Sequence, residues 1–183
     1  MPLRSFDTVP PANLVDGCVE VYRAAFGRAP YGETAGQAEA LRDRLDRYSA
    51  RAGFLVPVCL GDDDRVEGFA LAVTAHPGDW WRDQVATAVG AEATDRWLGD
   101  SCCEVVHVAV RPDVHRRGHG QRLLGAIGST AGTRTAVLSC HPEAVAAQQL
   151  YLGEGWQVLT TNFRTQPEQL GYWLMVRHLE SGE

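Results

Sequence analysis

The sequence predicts a mixed α/β fold in which strands and helices alternate along a single chain. Three observations carry this. Apolar runs of strand length recur from residue 54 onward, and segments of helical period lie before and between them. No repeat, low-complexity stretch or linker divides the 183 residues, a length within the usual single-domain range and sufficient for a substantial core.

Pro10-Pro11 reads as a turn, with Pro11 at a helix start. Leu14, Cys18, Val21, Tyr22 and Ala25 then recur at helical spacing up to Gly27. A second helix is expected over about 33–52, with Ala38, Leu41, Leu45 and Tyr48 on one face. FLVPVCL at 54–60 and VEGFALAVTA at 66–75 pair as a hairpin around the GDDDR turn. Pro57 lacks an N–H, which argues for an edge strand or a bulge. Residues 76–101 form a less regular insert of one or two short helices with an aromatic side. Strand pattern returns at Glu104–Val110, and a helix follows over Gln121–Ser129. TAVLSC at 135–140 is a short strand, and the next helix has Pro142 near its first turn. Runs at 156–164 and 170–179 close the chain as two strands.

Seventeen basic and twenty-three acidic residues give a net charge of -6, which opposes a general nucleic-acid binder. The five cysteines form no C-x-x-C pair, and Cys102 and Cys103 are adjacent, a poor geometry for bonding to each other. Reduced thiols, a cytoplasmic location and no metal are the expectations. No segment approaches the roughly 18 apolar residues of a membrane span, and the first residues lack a signal-peptide pattern, so no membrane partner is expected.

The densest chemical feature is HRRGHG, residues 115–120, between the strand ending at Arg111-Pro112 and the helix that follows. Glycines at 118 and 120 let main-chain N–H groups approach an anion closely. The helix start adds unpaired N–H groups and the positive end of its dipole. Arg116 and Arg117 can add charge-assisted contacts to phosphate oxygens. A plain strand-to-helix turn is the alternative. A dinucleotide fingerprint needs a third glycine where Leu123 stands, and a mononucleotide P-loop needs Gly-Lys followed by Ser or Thr. His107, His115 and His119 have neither the H-E-x-x-H arrangement nor correctly spaced thiols for zinc.

The stretch resembles the acetyl-CoA-binding motif of the GCN5-related N-acetyltransferase (GNAT) superfamily, a strand followed by Q/R-x-x-G-x-G/A and a helix. Ala147, Leu150, Tyr151, Gly155 and Trp156 match a second family element, A-x-x-L-Y-x-x-x-G-F/W, in the expected place. The order of elements is also similar over about the whole chain, although only 104–156 holds distinctive residues. The resemblance implies the GNAT fold over 1–183: a mixed, mostly antiparallel sheet flanked by helices, splayed at its central strands, with a helical insert at about 76–101.

It further implies an N-acetyltransferase with acetyl-CoA as co-substrate. The implied cofactor-binding set is Val108, Ala109, Val110, His115, Arg116, Arg117, Gly118, His119, Gly120, Gln121 and Tyr151. Within it, N–H groups of residues 116–120 would hold the pyrophosphate, and main-chain groups of Val108 and Val110 would pair with the pantetheine arm. Two departures from the pattern are visible. His115 replaces the family's Gln or Arg, and Ala144 stands where many relatives have an Asn.

Acetyl transfer by direct attack in a ternary complex needs orientation, an oxyanion donor and a route for protons. A backbone N–H of Val108 or a neighbour is the candidate oxyanion donor, and Tyr151 the candidate acid for the leaving thiolate. Glu104 and His107 are the candidate bases, with relayed water as the alternative. Strict alternation puts these two side chains on opposite faces, with His107 alongside Val105 and Ala109. His76, Trp80 and Trp81 in the insert are candidate contacts for a cationic or ring-bearing amine, or they fill the insert's own core. Cys140 reads as a buried, inert thiol. The expected acceptor is a primary amine of a small molecule or a protein N-terminus. Alternatives are a non-catalytic acyl-CoA-binding protein and an acyltransferase using another acyl-CoA. The protein is expected as a monomer or a homodimer, with YWLMVRHL a possible place for pairing.

Overall fold

The structure, a computed structural model, describes residues 2–130 and 132–179. The chain divides into two compact units, Met1–Val73 with Val106–Ala131, and Thr74–Val105 with Gly132–Glu183. The strands of the sheet follow the order β1-β2-β3-β4-β5-β7-β6. Every pairing described below is antiparallel except β4 with β5, so the sheet is mixed, mostly antiparallel and flanked by helices, as expected.

In the first unit, β1 (Leu3–Phe6) pairs with β2 (Val56–Leu60), and β2 pairs with β3 (Val66–Ala75). The sequence pattern does not announce β1, because LRSF does not alternate. It becomes a strand by adding to β2, where Leu60 N also donates to Pro2 O at 3.0 Å. Pro57 therefore lies in an interior strand and not at an edge. Its effect is seen in the ladder to β3, which is interrupted between the Leu55–Ala72 bridge and the Val58–Phe69 pair. A bulge follows at Cys59/Leu60. The connecting turn closes with Gly61 N on Arg65 O at 2.8 Å and places Asp64 at φ 59°.

Helix α1 (Ala12–Phe26) starts after Pro11, whose carbonyl accepts from Leu14 N and Val15 N. It buries Leu14, Val15, Cys18, Val19, Val21 and Tyr22, one continuous apolar stripe. The helix expected over about 33–52 is two pieces, α2 (Ala35–Glu39) and α3 (Leu41–Ser49). The two pieces meet at Ala40, where ψ is -8°, well away from the usual helical value of about -42°. α2 begins with a capping box: Thr34 Oγ1 accepts from Gln37 N, and Thr34 N donates to Gln37 Oε1 at 2.8 Å. Ala38, Leu41 and Leu45 are fully buried nonetheless, so the apolar face survives the break.

These helices cover a core of Val56, Val58, Leu60, Phe69, Leu71 and Val73. Each such side chain contributes about 1.5–3 kcal/mol on burial. The alternate residues of β3 are small (Gly68, Ala70, Ala72), and α5 (His119–Thr130) packs against β2 with Leu123 reaching towards Gly68. α5 starts two residues earlier than the sequence suggests and includes Gly120 in its first turn.

In the second unit, β5 (Thr135–Cys140) pairs along its length with β7 (Tyr172–His178), and β7 with β6 (Gln157–Phe163). The parallel ladder of β4 (Cys102–Val110) with β5 is short, consisting of Cys103↔Ala136 and Glu104↔Val137. The insert is α4 (Trp80–Trp97), broken at Gly90, which has φ 78°. Its Val85 and Trp97 join Leu98, Cys102, Val137, Phe163, Leu174 and Val176 in a second core. Thr135 Oγ1 donates to Trp97 O at 2.7 Å and ties the end of the insert to β5. α6 (Val145–Gly153) begins three residues after Pro142, which lies in the preceding turn and not in the helix.

Candidate functional site

The glycine loop lies in the first unit, between β4 and α5. A 3₁₀ turn at Pro112–Val114 leads from the strand, and Val114 is buried beneath it. Arg116 has φ 64° and Gly118 φ 77°, two left-handed residues separated by Arg117. Left-handed residues in a turn are the kind of backbone from which anion nests are built. Arg122 N donates to Gly118 O at 3.1 Å, making Gly118 the residue at which helical bonding begins. The N–H groups of His119, Gly120 and Gln121 follow in the first turn, where no intrahelical acceptor exists. A Cβ at Gly118 would meet nothing closer than Gln121 Oε1 at 3.7 Å, so glycine is required there by its φ and not by crowding. The donor set is therefore mainly backbone, with Arg116 and Arg117 exposed beside it, and it suits a diphosphate group.

Two of the expected loop histidines have distinct places. His115 turns back, and its Nε2 donates to Val110 O at 3.2 Å. His119 is almost fully buried, with Nε2 2.9 Å from Glu67 Oε2 but outside hydrogen-bond alignment. Its side chain faces the interior, and its contribution to the loop is its main chain. Arg111 N donates to Glu67 O at 2.9 Å. By alternation, the main-chain groups of Val108 and Val110 then lie on the edge of β4 away from β3. They also lie beyond the two pairs that β4 makes with β5. Gly68 allows β3 to approach, since a Cβ there would sit 3.0 Å from Ala109 O.

His107 is on the face of β4 shared with Ala109, as alternation predicts, against α1 and α3. Its ring meets Tyr22 edge-on at 5.3 Å and Phe26 at 6.0 Å. Arg44 Nη1 lies 2.7 Å from His107 Nε2 and donates to Tyr22 OH at 3.2 Å, while Tyr22 OH donates to Glu33 Oε2 at 2.5 Å. Burial, and then the neighbouring Arg44 charge, push the His107 pKa down to about 3, so the ring is neutral. Burial and the bond to Glu33 raise the Tyr22 phenol. The sequence does not reveal this relay. Arg44 follows Leu41 by one helical turn and borders the buried stripe, but nothing in its spacing links it to a residue on β4.

In the second unit, Tyr151 and Gln148 face inward from α6, and the Tyr151 ring meets Trp156 edge-on at 5.8 Å. Trp156 N donates to Tyr151 O at 3.0 Å, so the turn through Gly155, with φ 80°, fixes the two aromatics together. Ala144 caps α6 without a side-chain hydrogen bond. The loop before it is held differently: Gln148 Nε2 donates to Pro142 O at 2.7 Å and His141 O at 3.1 Å, and Glu143 N donates to His141 Nδ1 at 3.1 Å.

Glu104 is buried in β4 and is not a solvated acid at a strand end. Cys140 is buried too, its thiol pushed up to about 11 by desolvation, so it is a poor nucleophile at neutral pH. Of the insert residues, Trp81 packs edge-on to Phe163 at 6.1 Å within the second core, whereas His76 and Trp80 are exposed. Among the described residues, no group of three or more His, Cys, Asp or Glu could hold a metal ion, and no helix is long and apolar enough to cross a membrane.

Comparison with known proteins identifies the family and the fold. The model of the acetyltransferase (GNAT) family matches residues 18–153, and the chain belongs to that family. Its general reaction is acyl transfer from acetyl-CoA. The fold is shared with a GNAT-family acetyltransferase from Staphylococcus aureus (11% identity, TM-score 0.65, covering 98% of this chain and 100% of the other). A second similar structure is the histone acetyltransferase HPA2 and related acetyltransferase from Corynebacterium glutamicum (16%, TM-score 0.65, 100% and 99%). A third is the PaiA N-acetyltransferase from Thermoplasma acidophilum in complex with coenzyme A (13%, TM-score 0.63, 97% and 99%). No curated protein sequence matches the chain.

Proposed function

We propose that the protein is an N-acetyltransferase that moves an acetyl group from acetyl-CoA to a primary amine of a small molecule or a protein N-terminus, by direct attack. The observation that carries this is the loop at 115–120. Left-handed Arg116 and Gly118, followed directly by a helix start, support a cradle of main-chain donors for a diphosphate. The Thermoplasma protein, of similar fold, holds coenzyme A. N–H groups of residues 116–120 bind the pyrophosphate, with Arg116 and Arg117 adding charge. The outward edge of β4 at Val108 and Val110 receives the pantetheine arm. Because Val110 O is engaged by His115, Val110 contributes its N–H there.

The acceptor nitrogen, as the neutral amine, attacks the thioester carbonyl carbon, and the carbon–sulfur bond breaks as the amide forms. A main-chain N–H at Val108 stabilises the developing oxyanion. Tyr151 donates its phenolic proton to the leaving thiolate. Glu104 takes the proton from the acceptor, directly or through water, because Nε2 of His107 is engaged by Arg44.

Thiol release from acetyl-CoA across a panel of amines tests the proposal, with Tyr151→Phe as comparator. The expected result is turnover with at least one amine and a kcat about 10²-fold lower in the variant, with CoA affinity little changed. Tight CoA binding without turnover on any amine would instead identify a binding protein.

A further inference from the structure

Arg44 and His107 come from α3 and β4, and their side chains meet at 2.7 Å between Arg44 Nη1 and His107 Nε2. A guanidinium has only N–H donors and stays protonated, so His107 Nε2 must be the acceptor in this contact. A neutral imidazole carries one proton, which therefore resides on Nδ1. The polar groups that surround the ring are Arg44 from α3 and Tyr22 from α1, with Glu33 acting on Tyr22 from the α1–α2 loop. None of them offers an arrangement that reverses the tautomer: Tyr22 gives its proton to Glu33, and Arg44 donates to both Tyr22 and His107. Phe26 and Tyr22 hold the plane of the ring from the side. His107 is a half-buried residue, at the margin of the core and not at its centre.

We propose that Arg44 is a positioning residue that locks His107 in the Nδ1–H tautomer, and that His107 orients the amine acceptor as a hydrogen-bond donor without taking its proton. This rests on the acetyltransferase proposal for its acceptor half, while the tautomer half stands on the Arg44 contact alone. An imidazole acting as base needs a free lone pair, and here the Nε2 lone pair is committed to Arg44.

The tautomer is tested by ¹⁵N NMR on uniformly histidine-labelled protein, with His107→Asn identifying the His107 signals. The expected spectrum has a pyrrole-type Nδ1 and a pyridine-type Nε2, unchanged between about pH 5 and 8, whereas Arg44→Met, which frees Nε2 and removes the neighbouring charge, is expected to raise the His107 pKa while burial still holds it below the ordinary value of about 6.5. An Nε2–H tautomer, or a wild-type ring that titrates in that range, overturns the assignment.

The role is tested by kcat/KM on the acceptor found by thiol release. His107→Leu is expected to lower it about 10- to 100-fold. His107→Asn, whose amide N–H stands near the Nδ1 position and which has no basic nitrogen, is expected to stay within roughly fivefold of wild type. Equal losses of about 10²-fold or more in both variants would mark His107 as the base and overturn the role. An unchanged His107→Leu would overturn it as well. Absence of thiol release from wild type with any amine would remove the acceptor half through the acetyltransferase proposal itself, with the NMR result still deciding the tautomer.

Discussion

His115 Nε2 donates to the Val110 carbonyl at 3.2 Å, joining the first residue of the glycine loop to the last residue of β4. The contact spans the 3₁₀ turn at Pro112–Val114 and fixes where the loop leaves the strand. The residue that departs from the family pattern thus has a local structural task.

His115→Ala is expected to weaken CoA binding about 3- to 10-fold, the range for losing one hydrogen bond that preorganises a site. His115→Gln, with an amide donor of similar reach, is expected to retain most of the affinity. Isothermal titration with CoA distinguishes the two, and equal affinities for both variants would show that this bond does not shape the loop.

Gly17 sets how closely α1 lies on β3. A Cβ there would be 2.4 Å from Val66 Cγ2, and Val66 is buried and β-branched, with little freedom to move aside. In an open helix, Gly→Ala stabilises by about 0.5–1 kcal/mol. Here overpacking, at about 1–3 kcal/mol, outweighs that gain. Gly17→Ala is expected to lower Tm by a few degrees in thermal unfolding, and a rise in Tm would contradict the packing described.

The half-buried, neutral His107 makes a signed contribution to pH-dependent stability. Its folded pKa is depressed to about 3 by burial and Arg44, so below the unfolded value of about 6.5 the unfolded chain binds a proton that the folded chain does not. The contribution is present above about pH 6.5 and is lost as pH falls towards 3. His107→Gln is expected to flatten the fall in Tm between about pH 7 and 5. Parallel curves for variant and wild type would contradict the assignment.

Much of this was legible because local rules and tertiary structure agree. Gly118 and Gly155, both singled out in the sequence, have positive φ, a conformation that glycine adopts without cost. The Leu41–Leu45 stripe is buried even though its helix is broken at Ala40. Legibility ended where a residue's state depends on a distant partner. LRSF has no strand pattern and is a strand only through β2. Pro57 suggested an edge or a bulge, and the sheet tolerates it inside by giving up part of one ladder, with a bulge following at Cys59/Leu60. His107 could be placed on a face of β4, but its tautomer depends on Arg44, 63 residues away in sequence. His119 was expected in the cofactor-binding set, and its side chain instead lies against Glu67.

The central claim is that main-chain N–H groups at 116–120 hold the pyrophosphate of CoA. Calorimetric titration of CoA and of pantetheine, which lacks the pyrophosphate, into wild type and Gly118→Glu tests it directly. Thermal unfolding of the variant serves as a control for folding. The account predicts that wild type prefers CoA to pantetheine by 100-fold or more, on the order expected for charge-assisted phosphate contacts, and that folded Gly118→Glu loses most of this preference. A folded Gly118→Glu that binds CoA as tightly as wild type would contradict it.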